Sequence, residues 1–214
     1  LSNSIFIGLP VNLLLFGDKS LPYALLYYIA NTTLFWTIGV YGISMDGAVR
    51  NRSPMPSLVS LSGLKRILSP PLIGFLIAIF FILAGITLPK SIMDTCKYLG
   101  NMTTPLSMLF IGIVIARVDW KKLKFEKDFI AVLAGRFLIT PALMFMVVRS
   151  LDMPLLMKEV FVMQASMPAM TQTPILAETY KSDSEYAAIG TSLTTVASMI
   201  TIPLYMSLMA VIFD

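Results

Sequence analysis

Two stretches set amide and hydroxyl side chains beside prolines inside runs that hold no charge. One is Ser2-Asn3-Ser4-Ile5-Phe6-Ile7-Gly8-Leu9-Pro10. The other covers residues 163–180 and centres on Pro168, Thr171, Gln172, Thr173 and Pro174. A proline inside a helix removes a backbone donor and clashes with the preceding turn. Hydrocarbon cannot satisfy the carbonyls this frees, so such a break survives in a spanning segment only where protein or a water-filled cavity covers it. The chemistry on offer is the holding of an anion. A half-helix that restarts after a break points free N–H groups and a positive dipole end at the cavity. Amide and hydroxyl side chains add donors, and together they offset the hydration a carboxylate loses on burial. The expected substrate-binding residues are Asn3 and Ser4 at the first break and Thr171, Gln172 and Thr173 at the second. Pro10, Pro168 and Pro174 are expected to hold the breaks open. The alternative for Asn3 and Gln172 is ordinary hydrogen bonding between helices, and for the proline stretch a kinked packing helix.

Arg136 is the one charge well inside an apolar segment. An intramembrane ionisable residue is a functional hypothesis by default. It lies about 12 Å from the end of its segment at helical rise, a distance an arginine can largely snorkel. Anchoring at the interface and attraction of a substrate anion both remain open for it.

The elements that must position these residues follow from composition. The 214 residues are 57% hydrophobic and 13% charged, too apolar for a soluble domain, where about 25% charged is usual. One cysteine, Cys96, excludes an internal disulfide, and the absence of histidine removes the commonest metal ligand and general base. Neither a metal site nor a cofactor is expected. An intramembrane enzyme is disfavoured, because there is no histidine and the carboxylates all fall at or near segment ends. The net charge of +4 follows from basic loops and does not point to nucleic acid.

Runs between charges give seven segments of spanning character: residues 1–17, 20–45, 67–89, 98–116, 129–148, 160–177 and 186–213. They are expected to be helices, because an isolated strand leaves its backbone unsatisfied in lipid. Residues 46–66 read as a hydrophilic connection with a short interfacial helix around Leu58, Leu61, Leu64 and Leu68. Asn31 sits inside its span, where bonding to another helix is the expected role. Ten of the 16 basic residues fall on one side and five on the other; the richer side is expected to be cytoplasmic, with Asp214 outside. A multi-pass protein of the plasma or inner membrane follows.

Residues 1–45 pair a broken segment with an intact one, as residues 160–213 do. If the second repeat holds five helices with the broken one fourth, the first repeat lacks three upstream, about 90–100 residues at spanning length. An odd number per repeat makes the copies inverted. The expected organisation is residues 1–45 as the end of a first repeat, 46–66 as a cytoplasmic connection and 67–214 as a second five-helix repeat.

Several motifs then resemble the auxin efflux carrier family of plant auxin exporters and bacterial malonate and malate permeases. Asn3 through Gly8 to Pro10 resembles its first crossover, with Phe16-Gly17 at the end. Pro70-Pro71 resembles the start of its sixth helix, with Ser69 for Asn. Thr104-Pro105-Leu106 through Gly112 resembles its seventh, and Arg136-Phe137 with Pro141 its eighth, with Arg for Lys. Ser166-Met167-Pro168 and Ile175-Leu176-Ala177-Glu178 with Tyr180 resemble its second crossover. The resemblance implies an all-α membrane protein with ten helices in two inverted repeats, a crossover of two broken helices, and elevator-like alternating access. It implies a secondary carrier of malonate, malate or auxin-like carboxylates, here without the first three helices. The expected partners are a small carboxylate, the bilayer and, as one option, a second copy in a homodimer. The competing readings are a sodium-coupled carrier of related crossover fold and a non-transporting seven-helix receptor.

Overall fold

The computed structural model describes residues 1–55, 70–102 and 127–213, together with residues 105, 106, 109, 113 and 116. The interfacial helix expected within 46–66, the interior of segment 98–116 and the basic loop after it lie outside those residues.

The described elements are helical. They are α1 (Ser4–Phe16), α2 (residues 21–50), α3 (Pro70–Leu83), α4 (Lys90–Asn101), α5 (residues 127–150), α6 (Leu155–Ala165), α7 (Thr173–Thr179) and α8 (Ser184–Phe213). Among the described residues the one extended pairing is an isolated antiparallel bridge between Ser2 and Ala169. The stretches Asp128–Ser150 and Ser184–Met209 are long and apolar enough to cross a membrane. Many polar residues are buried beside apolar ones, and large apolar residues stand exposed. Ser2, Asn12, Gln164 and Thr194 are fully buried, while Ile73, Leu76, Phe80 and Leu83 stand exposed along α3. Hydrocarbon as the outer solvent selects for that arrangement.

Three helices contain a wide π turn: Ser4–Gly8 in α1, Phe35–Gly39 in α2 and Gly135–Ile139 in α5. Two of these turns end two residues before a proline, Pro10 and Pro141. A wide turn is one way to relieve the clash of a proline ring with the preceding turn. Pro141 has no N–H for the carbonyl of Phe137, and the Tyr205 hydroxyl of α8 donates to that oxygen instead. Pro10 therefore does not hold a break open as expected. It lies inside a continuous helix, with Ser2 and Asn3 in non-helical backbone just ahead of it.

The second interruption lies where expected. Helix α6 ends at Ala165, residues 166–172 are not helical, and α7 restarts at Thr173. Pro168 is in the gap. Pro174 is not: it occupies the first turn of α7, where its missing donor costs nothing. Two further differences concern boundaries. The α2 helix continues to Arg50, so the first five residues expected for the connection are helical. Residues 90–97, expected between two spanning segments, are helical too and join 98–101 in α4, because Ile92, Cys96 and Leu99 recur at helical spacing.

The core sits around the second gap. Ile7, Val148, Val162, Met163, Met167 and Met209 make one buried cluster drawn from α1, α5, α6, the gap and α8. In lipid such packing stabilises through dispersion contacts more than through exclusion of water. At the far end of α2 an exposed latch joins it to the α7–α8 turn. Arg50 pairs with Asp46 at 3.0 Å and with Asp183 at 3.1 Å, the Ser182 hydroxyl donates to Asp46, and Asn51 Nδ2 donates to Lys181 O at 2.9 Å. Gly47 is required there, since a Cβ would stand 2.0 Å from the Tyr180 carbonyl oxygen.

Candidate functional site

The end of a helix leaves carbonyls without partners, and each must find one when buried. Around the second gap three are supplied from other elements. Arg136 Nη2 donates to Ala165 O at 2.8 Å, and Arg136 Nε donates to Met167 O at 2.6 Å. The Asn3 backbone N–H donates to Pro168 O at 2.8 Å. On the donor side, Ala169 N–H goes to Thr194 Oγ1 of α8 at 3.2 Å, while the Thr194 hydroxyl itself donates to Thr191 O at 2.9 Å. The residues ahead of α1 thus meet the gap through backbone groups, with Arg136 bracing the gap from α5.

Arg136 is 8% exposed, so its guanidinium is turned into the protein. The snorkelling orientation is overturned, because the freed carbonyls of the gap lie nearer than the membrane surface and accept two charge-assisted bonds. The Tyr27 hydroxyl also faces the guanidinium.

The entry to α1 is held by a neutral network. Asn31 Nδ2 of α2 donates to Ser2 O at 2.8 Å and to Ser4 Oγ at 3.2 Å. Asn31 Oδ1 accepts from Ser2 N–H at 3.1 Å and from Ser2 Oγ at 3.2 Å. Asn3 Oδ1 caps the first turn of α1 by accepting from Phe6 N–H at 3.2 Å. The Asn3 Nδ2 group, on a residue 2% exposed, has no acceptor. The expected role of Asn31 as a bond between helices is the geometry observed.

Gln164 joins α6 to the entry of α1 directly. Its Nε2 donates to Ser4 O at 3.2 Å, and it packs on Gly8 so closely that a Cβ there would stand 2.1 Å from Gln164 Oε1. That oxygen is buried without a donor, as is Asn12 Oδ1, whose own Nδ2 donates to Gly8 O at 2.7 Å. The region around Gly8 thus holds unpaired acceptors, while Asn3 holds an unpaired donor.

Of the expected site residues, Asn3, Ser4, Pro168 and Arg136 come together. Thr171, Gln172, Thr173 and Pro174 are half-buried, and Gln172 precedes α7 without a side-chain cap bond. Neighbouring Met170 and Leu176 pack with Phe35 and Val40 of α2, away from Asn3. Ser2, Gln164 and Thr194 were missed as candidates. Gln164 carried a signal: it is an amide inside an uncharged run, one helical turn before Pro168. Ser2 and Thr194 look like any small polar residue of a spanning segment.

A cavity of about 360 Å³ opens between α2, α5 and α6. Its walls are apolar, including Leu26, Val148, Met153 and Phe161, and its polar members are Tyr27 and Asn31. Tyr27 OH lies 3.2 Å from Ser2 Oγ, so the cavity reaches the residues ahead of α1.

Residues 1–206 match the model of a family described as membrane transport protein. An uncharacterized transporter of Methanocaldococcus jannaschii is 28% identical over 96% of this chain and 64% of its own length. An uncharacterized transporter of Methanothermobacter thermautotrophicus is 28% identical over 95% of this chain and 63% of its own length. The chain therefore spans less than two thirds of the length of these relatives. No solved structure matches.

Proposed function

The chain belongs to this membrane transport protein family, the auxin efflux carrier family, and from that premise we propose that it is part of a secondary carrier of small organic anions. Malonate, malate or an auxin-like carboxylate is the substrate class, and movement is by alternating access. Residues 1–45 end a first inverted repeat, 46–66 form a cytoplasmic connection whose first turn is still helical, and 67–214 form the second repeat. The protein is multi-pass in the plasma or inner membrane, with its C-terminus outside. The entry to α1 at Asn3 and the gap at residues 166–172 are the crossover that carries substrate.

One observation supports this reading above the others: the Asn3 N–H, just ahead of α1, donates to Pro168 O at 2.8 Å, so the entry to α1 meets the gap between α6 and α7. A proline-kinked packing helix has no need of that meeting, and neither does a seven-helix receptor. Asn3 then supplies a buried amide donor to the substrate carboxylate, with Ser4 beside it. Thr171, Gln172 and Thr173 line the other end of the gap. The test is uptake of labelled malonate, malate and indole acetate by the full-length protein in proteoliposomes. Asn3→Ala is expected to abolish uptake while expression persists; undiminished uptake removes Asn3 from the site.

A sodium-coupled carrier of the same design is the second reading. The buried amide oxygens of Asn12 and Gln164, both without donors, are the observation that favours it. Uptake that disappears when sodium is replaced by choline decides for it.

A further inference from the structure

We propose that the anion taken at this site is univalent, a monocarboxylate or a dicarboxylate that keeps one proton, and that Arg136 is its counter-charge. This rests on the reading of the chain as an organic-anion carrier and adds the charge state of its ligand.

The argument is one of charge balance. The Arg136 guanidinium is buried, and its partners are neutral: the carbonyls of Ala165 and Met167 and the Tyr27 hydroxyl. Arg50, by contrast, pairs with Asp46 and Asp183 at the exposed latch. No carboxylate among the described residues acts on Arg136. Guanidinium does not deprotonate in proteins, so the site cannot neutralise itself by losing a proton. A buried charge without an opposite partner is costly, and that cost falls when an anion arrives.

Donor geometry points the same way. Arginine has five N–H donors, and the carbonyls of the gap take two of them. Asn3 adds the unpaired donor of its side-chain amide. Arg136 donates to Met167 O and the backbone N–H of Asn3 to Pro168 O, so the two residues are anchored at consecutive positions of the gap. Both offer hydrogens, and one of them carries charge. A univalent anion uses both and brings the site to neutrality. A dianion leaves one negative charge unpaired in a medium of low dielectric, where that is unfavourable. The cavity lined by Tyr27 and Asn31 lies next to this site, since the Tyr27 hydroxyl also faces the guanidinium.

The experiment measures equilibrium binding of benzoate and of malonate to the purified full-length protein, at pH values above and below the second ionisation of malonate. Benzoate, which has no second ionisation, controls for the effect of pH on the protein. Benzoate and singly protonated malonate are expected to compete with each other. Each is expected to bind about tenfold or more tightly than the malonate dianion. Equal or tighter binding of the dianion overturns the proposal. Arg136→Gln is expected to weaken benzoate about tenfold or more, and Arg136→Lys to keep the preference for univalent ligands. A folded Arg136→Gln variant with unchanged benzoate affinity removes Arg136 as the counter-charge. If that variant does not fold, the comparison of ligand valence on the unmodified protein still decides. Carboxylates bound or carried without regard to valence sink this inference alone. No carboxylate bound or carried at all sinks the carrier reading and this inference with it.

Discussion

The entry to α1 and the gap after α6 are held in opposite ways. At Ser2 a neutral side chain, Asn31, ties down the backbone through two hydrogen bonds and holds the Ser2 and Ser4 hydroxyls through two more. At residues 166–172 the backbone is tied down by a charge, Arg136, through two. A neutral amide in a fully paired network stabilises without an outstanding electrostatic debt. A buried guanidinium on carbonyls satisfies those carbonyls yet leaves its own charge uncompensated. The first device builds structure. The second does so too, and also leaves a buried positive charge beside the gap.

That contrast makes the largest prediction a difference between two variants. Asn31→Ala is expected to lower unfolding stability in detergent by about 2 kcal/mol, above the roughly 0.6 kcal/mol of a single intramembrane bond, because several partners are orphaned together. Arg136→Gln is expected to change stability by less than about 1 kcal/mol, because relief of the buried charge offsets the lost bonds. Denaturant or thermal unfolding of both variants checks this, and the reverse order breaks the contrast.

Next is the contact that joins α6 to α1. Gly8→Ala places a Cβ 2.1 Å from Gln164 Oε1 and 3.2 Å from Met167 Cγ, on side chains that are fully buried. Overpacking costs about 1–3 kcal/mol and better helix propensity returns up to ~1, so a net loss of about 1 kcal/mol is expected. If Gly8→Ala leaves stability untouched, α1 and α6 are less tightly joined than the Gln164 contact implies.

A smaller effect is expected at Thr194, whose hydroxyl receives the Ala169 N–H. Thr194→Val keeps the shape and removes one partner, for a loss of about 0.6 kcal/mol. Faster amide exchange at Ala169 is the more sensitive readout. A large loss at Thr194 would mean that the gap depends on α8 as much as on Arg136.

The smallest effect belongs to the exposed latch. The Ser182 hydroxyl, and after it Arg50, hold the Asp46 carboxyl below its ordinary 3.8. A lowered carboxyl contributes its full stability above the ordinary value and loses it as pH falls through the lowered one. Asp46→Asn is therefore expected to flatten a shallow acid-side loss and to leave stability near neutral pH almost unchanged, since the groups are solvent-screened. A stability titration from neutral to acid pH checks it.

Much of this arrangement was legible in the chain. Pro168 between polar residues in an uncharged run announced the second gap. Asn3, followed by Gly8 and Pro10, read as a break, yet α1 runs unbroken from Ser4 to Phe16 and Asn3 caps its first turn. The details that escaped depend on neighbours in space. Pro10 and Pro174 read as breakers, yet one is absorbed by a wide turn and the other opens a helix, because proline is harmless where its donor is not needed. Arg136 was visible as an odd charge, but its direction was not, since a long side chain turns toward whichever acceptors are nearest. Gln164 and Thr194 acquire meaning only once the bonds to Ser4 O and Ala169 N are known. Residues 90–97 were missed as helix because Lys90 and Lys97 bound them and read as a connection.

The wide turns in α1, α2 and α5 have a mechanical consequence. Each lodges a surplus residue in a helix that is otherwise regular. Were that surplus handed one turn along the Gly135–Ile139 region, the side chains it passes would swivel by about 100° while the rod stayed whole. Arg136 sits inside that region, so the cation could let go of one face and address another without any helix unwinding.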